Sequence, residues 1–191
     1  MLCTGAGFCE PPPLFEQLKN TFPFPAAGIV GDPVIGVALF PDICIPAPKL
    51  FVYAPEGCEL FQLFCALALA RLSVDTKVVI LERGEPVERR GKAIGALFHR
   101  RRLSETSNLC YGEGGAGTWS DGKLTTRIGR NGEEVKDVFK TFVEFGAPPE
   151  ILQMGKPHLG TDRMVKILRN ARYELEKMGC EIMFDETCRT V

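Results

Sequence analysis

The run from Lys49 to Gly84, KLFVYAPEGCELFQLFCALALARLSVDTKVVILERG, decides the fold. LFVYA (50–54) is a short apolar run of residues that favour strands. LFQLFCALALARL (60–72) is longer and built largely of Leu and Ala, a composition that favours a buried helix over a strand. SVDT then turns the chain. KVVILERG (77–84) is a continuous apolar run ending in a charged corner, the pattern of a strand covered on both faces. Strand, helix and strand in this order form a βαβ unit, which predicts parallel strands joined by a right-handed crossover.

Working outward, EPVERRGKAIGALFHRRRL (85–103) has scattered apolar positions on a basic background and predicts a helix interrupted near Gly91 or Gly95. GEEVKDVFKTFVEFG (132–146) is amphipathic, with Val135, Val138, Phe139, Phe142 and Val143 on one face and Gly146 in the C-cap position. Pro148 and Pro149 open a short helical turn through Leu152. TDRMVKILRNARYELEKMG (161–179) predicts a second amphipathic helix, begun by Thr161 or Asp162 and ended by Gly179. CEIMFDETCRTV alternates as a terminal strand does. Residues 1–48 hold nine of the fourteen prolines. Proline removes ladder donors and restricts the residue before it. The expected organisation is therefore an irregular Pro-rich extension over 1–48 and an α/β domain over 49–191.

The bulk composition is that of an ordinary globular chain, with 45% hydrophobic and 25% charged residues. A net charge of −1 gives no overall attraction to nucleic acid or to an anionic membrane. The basic run HRRR (99–102) lacks nearby aromatic platforms for bases and reads as a solvated or phosphate-facing face. No apolar run reaches the length of a membrane span, and the first residues lack the pattern of a leader, so the expected location is the cytoplasm. The eight cysteines are scattered without a C-x-x-C pair, which favours free thiols over a disulfide framework or zinc site.

One further stretch is unusual. GEGGAGTWSDGKLTTRIGR (112–130) opens with five glycines in eleven residues, Gly112, Gly114, Gly115, Gly117 and Gly122. Around them stand the only tryptophan, hydroxyl residues and the cations Lys123, Arg127 and Arg130. Glycines allow positive φ and close approach of a ligand to the backbone. Backbone N–H groups, hydroxyls and cations are what a phosphate needs. A glycine-rich turn that binds nothing is the competing reading.

A βαβ unit also invites the dinucleotide fingerprint G-x-G-x-x-G after its first strand, with an acid at the end of the second. The acid is present as Glu82, placed to accept hydrogen bonds from the hydroxyls of a ribose. The fingerprint window is Gly57-Cys58-Glu59-Leu60-Phe61-Gln62, in which only the first glycine stands.

The pieces ALALARL, VVILERGEPVERRGKAIGALF, SNLCYGEGGAGTWSDGKLTTRIGRN and GAPPEILQMGKPHLGTDRMVKILRN make the segment from Ala66 to about Asp185 resemble a family of FAD-dependent oxidoreductases. These are long flavoproteins of largely unassigned substrate. The resemblance does not extend to residues 1–48. It implies a Rossmann-like FAD-binding module. It also implies a cofactor-binding set of Gly57 at the first turn, Glu82 on the ribose, Arg83 and Gly84 beside it, and Gly114, Gly115, Gly117, Thr118, Ser120 and Lys123 toward the diphosphate or the isoalloxazine edge. FAD is the implied cofactor, a small molecule the implied substrate and NAD(P)H a candidate electron donor.

Two departures stand out. Glu59 and Gln62 replace family glycines, and Pro55 interrupts the first strand's run. The chain also stops at Val191 where family members continue, so an incomplete module with a degraded fingerprint is expected. The alternative, from another functional class, is a flavin-free α/β domain that serves in protein interaction or has no activity. Among single residues, His99 and His158 read as solvated and structural, Trp119 as core or as a cover for a flavin, Cys110 as a buried thiol, and Asp121 as a turn residue or base. No catalytic residue is assigned, because in flavin enzymes the cofactor carries the electron chemistry.

Overall fold

A computed structural model of the chain describes residues 36–40, 49–53, 59–72, 77–124 and 132–187, all within one compact unit, Ile35–Val191. In chain order its elements are β1 (Gly36–Phe40), β2 (Lys49–Tyr53), α1 (Glu59–Arg71), β3 (Lys77–Glu82), α2 (Val87–Arg100), α3 (Glu133–Glu144), a 3-10 turn (Pro149–Leu152), α4 (Thr161–Lys177) and β4 (Glu181–Phe184). The fold class is α/β, as the sequence indicates.

The four strands make one mixed sheet in the order β1-β2-β3-β4. β2, β3 and β4 run parallel, with Leu50 opposite Val78 and Glu82 opposite Phe184. β1 pairs antiparallel with β2, Gly36 opposite Tyr53. That strand lies inside the segment expected to be an irregular extension. GVALF carries no proline, so nothing in its own backbone forbids pairing, and the regular structure begins before Lys49.

The core forms where α1 packs on β2 and β3 and against α4. Val78, Val79 and Ile80 of β3 are buried, as are Cys65, Ala66, Leu67 and Leu69 of α1. Met164, Ile167, Leu168, Ala171 and Leu175 recur at helical spacing on α4 and are fully enclosed. Phe64 meets Phe142 of α3 edge to face, ring centroids 5.5 Å apart.

Three local expectations are corrected. α2 is continuous through Gly91 and Gly95. Gly91 does not break it, and instead leaves room for Trp119, whose indole would lie 3.0 Å from an added Cβ. The N-cap of α4 is Gly160 (φ 76°), and no side chain of the described residues caps that end. Thr161 is the first helical residue and donates its hydroxyl to the Ser120 carbonyl at 2.8 Å. On α3, Val138 is exposed while Thr141 is buried, its hydroxyl donated to the Asp137 carbonyl, so the buried face is rotated slightly from the apolar stripe. The expected C-terminal glycines Gly146 (φ 107°) and Gly179 (φ 86°) do adopt the left-handed conformation that ends a helix.

Candidate functional site

The carboxyl end of β3 is where the sequence signals converge. Glu82 is buried, and its Oε1 accepts the Gly84 N–H at 2.7 Å. Gly84 is packed so tightly that a Cβ there would lie 2.6 Å from the Thr106 carbonyl oxygen and 2.8 Å from the Gly112 nitrogen. The glycine-rich stretch is thus folded directly onto the corner that follows the acid.

Glu82 and Gly114 wall one small pocket of about 30 Å³ together with Gln62, Ile80, Glu113 and Phe184. Leu63, Leu168 and Ile182 complete its lining. Gln62 belongs to the degraded fingerprint. Its side chain is buried and donates Nε2–H to the Leu81 carbonyl at 3.1 Å, so the residue bridges helix and strand where a glycine would let them approach.

Glu113 comes from inside the glycine stretch. Its Oε2 accepts the Val87 N–H at 2.7 Å, which caps the start of α2 from a distant segment. Its Oε1 accepts from Arg172 Nε at 2.9 Å, and Arg172 Nη2 also holds both oxygens of Glu88 at 2.6 and 2.7 Å. The Arg172 guanidinium lies 5.7 Å from the Phe184 ring centroid. Burial raises the Glu113 pKa above its ordinary value of 4.5, against the opposing pull of Arg172 and the Val87 N–H.

The ten residues singled out from the sequence divide. Gly57 lies outside the described residues. Glu82 and Gly114 share the pocket, and Arg83 and Gly84 form the corner beside it. Gly115 and Thr118, within the loop, are buried. The Gly115 carbonyl accepts the Thr118 N–H at 3.3 Å, and Thr118 Oγ1 has no hydrogen-bond partner among the described residues. Gly117, Ser120 and Lys123 stand on the exposed outer end. There Ser120 Oγ donates to the Gly117 carbonyl at 3.0 Å, and Lys123 pairs with Asp121 at 2.7 Å, holding that carboxyl below its usual range. Lys123 also bridges to His158 through the backbone, and both are exposed.

Three glycines of the stretch answer to internal packing. Gly112 (φ 109°) abuts Arg90, Gly114 (φ 82°) abuts Leu168 and Thr118, and Gly122 (φ 64°) abuts Gly160. Gly117 has ordinary φ and open space around it. Trp119 packs toward Gly91, and its Nε1 is buried without a partner among the described residues. Cys110, expected to be buried, is exposed, and its backbone N–H donates to Asn108 Oδ1 at 2.8 Å.

Arg90, Gln62, Glu113 and Arg172 were not among the candidates read from the sequence. Arg90 had a signal. It sits on the apolar stripe of α2 between Val87 and Ile94, where a cation on an exposed face has no place.

No family model matches the chain. It is 38% identical over 138 residues to an uncharacterized protein of Clostridium beijerinckii. That match takes in 72% of this chain and 24% of the relative, so the chain spans about a quarter of the relative's length.

Proposed function

We propose that the chain is the nucleotide-binding portion of an FAD-dependent oxidoreductase, a Rossmann-like module in which Glu82 receives the adenosine ribose of FAD. The observation that carries this reading is the shared pocket of Glu82, at the carboxyl end of β3, and Gly114, from the glycine-rich stretch. The strand order supports it. Read from the edge, β4, β3 and β2 run parallel in the 3-2-1 order of a doubly wound sheet. In such sheets ligands bind outside the carboxyl ends of the strands. This pocket lies between the sheet and helices α1 and α4 and reaches that edge at Glu82 and Phe184, the last residues of β3 and β4.

The chemistry of the pocket fits a ribose. A carboxylate accepts hydrogen bonds and a vicinal diol donates two. The Gly84 N–H fixes the Glu82 head in place before any ligand arrives. The size of the pocket sets a condition, because about 30 Å³ holds roughly one water and not a sugar. Gln62 is the wall group tethered by a single hydrogen bond to Leu81, and its side chain must swing off that carbonyl for a ribose to enter. Bound FAD would supply hydride or electron-pair transfer at its isoalloxazine. Glu82, Gly84 and Gly114 would hold and orient the adenosine end and keep water from it. NAD(P)H as electron donor and a small-molecule substrate belong to the longer protein in this reading.

The small pocket also favours a second reading, a flavin-free α/β domain used in protein interaction. Titrating FAD into the chain and following flavin fluorescence separates the two. The flavoprotein reading expects saturable binding that Glu82→Gln weakens by about tenfold or more, the worth of a hydrogen bond to a charged group. A chain that takes up no FAD, or a variant that binds as well as wild type, overturns it.

A further inference from the structure

α2 carries a fully enclosed arginine. Arg90 Nη1 donates to the carbonyls of Glu113 at 2.7 Å, Gly115 at 3.0 Å and Gly112 at 3.2 Å. Its Nη2 donates to those of Asn108 at 2.8 Å and Leu109 at 3.3 Å. A guanidinium is a rigid planar fork with donors only, so these carbonyls must converge on it. Peptide groups are planar, and none in the described chain is cis. A carbonyl drawn toward Arg90 therefore turns the next residue's N–H the opposite way.

The consequence falls on the pocket. The Glu113 carbonyl bonds to Arg90, so the Gly114 N–H faces away from it, and Gly114 is a pocket residue. Among the described residues the Gly114 N–H donates to no backbone carbonyl. Gly114 (φ 82°) is also packed tightly against Thr118 and against Leu168, itself a pocket residue, which restrains its rotation. The N–H groups that follow the Leu109 and Gly112 carbonyls bond within the chain, Cys110 to Asn108 Oδ1 at 2.8 Å and Glu113 to the Glu85 carbonyl at 3.2 Å, so it is the Gly114 N–H alone that bears on the pocket.

We infer that Arg90 is the positioning residue of this site: it sets the polarity of the glycine-rich loop and presents the Gly114 N–H to the pocket opposite Glu82. The inference rests on the nucleotide reading above. A ribose hydroxyl both donates and accepts, so a carboxylate on one side and an amide on the other suit it, while a phosphate would meet the charges of Glu82 and Glu113. Arg90 touches no ligand and acts through the backbone.

Arg90→Lys keeps the charge and loses the fork. Hydrogen exchange and FAD titration are run side by side on wild type and variant. The expected result is unchanged protection in α4, amide exchange at 109–116 faster by about tenfold or more, and FAD binding weaker by about tenfold. A folded variant with unchanged loop exchange overturns the inference. So does a loosened loop with unchanged FAD affinity, which leaves the nucleotide reading standing. A wild-type chain that takes up no FAD defeats the nucleotide reading itself and the inference with it. If the variant does not fold, the wild-type protein decides: its Arg90 Nη protons should give separate, slowly exchanging NMR signals, and a single fast-averaged signal overturns the inference.

Discussion

Gly84→Ala is the sharpest test of how the loop meets the sheet. An added Cβ would stand 2.6 Å from the Thr106 oxygen, 2.8 Å from the Gly112 nitrogen and closer still to the Gly112 Cα. All three are backbone atoms, so no rotamer change relieves them. Gly112 cannot retreat, because Arg90 lies directly behind it. Overpacking of this kind costs about 1–3 kcal/mol. Parting the two segments also strains the buried Gly84–Glu82 hydrogen bond, worth about 1.5–3 kcal/mol with a charged acceptor. The expected loss is therefore about 2–4 kcal/mol, or a fall in Tm of roughly 4–16 °C for a chain of this size. Urea unfolding measures it directly, with Gly117→Ala as the control. Gly117 has free space and ordinary φ, so its substitution should stay within about 0.5 kcal/mol. Equal, small effects at both positions would refute the packing of the loop on the β3 corner.

Other outcomes follow from the same geometry. Gln62→Ala removes the Leu81 hydrogen bond and should lower stability by about 1 kcal/mol while raising FAD affinity, since it opens the pocket; unchanged affinity would show that Gln62 is not the obstruction. Glu113 has a folded-state pKa above its unfolded value, so the folded chain holds that proton more tightly and stability is lost as pH rises through and beyond 4.5. The stability of wild type relative to Glu113→Gln should therefore shrink over that rise in urea titrations, and a constant or widening difference would contradict the assignment. The Cys65 thiol is buried and its pKa is pushed up to about 11, whereas Cys110 is exposed. Iodoacetamide followed by mass spectrometry should modify Cys110 first and reach Cys65 only on unfolding.

Much of the fold was legible because the relevant signals are local. KVVILE announces a buried strand by an unbroken apolar run, and α1, α3 and α4 announce themselves by length and spacing. β1 was hidden because prolines on both sides dominate the reading of a five-residue strand. The continuity of α2 was hidden because the reason for Gly91, the Trp119 ring, comes from a distant segment. That Glu82 and the glycine stretch come together was expected from the family resemblance, but the contact that joins them, Gly84 packed against Gly112, was not legible in either segment alone. Arg90 was marked only by its place on the apolar stripe of α2, between Val87 and Ile94. Only the fold shows that five carbonyls surround it.

The position of the adenosine ribose in a crystal structure of the chain grown with FAD is the most direct test. Both ribose hydroxyls should sit within about 2.5–3.0 Å of the Glu82 carboxylate, with Gln62 displaced from Leu81 and the Gly114 N–H facing the sugar. A ribose bound elsewhere on the chain, with Glu82 making no contact to it, would contradict the account.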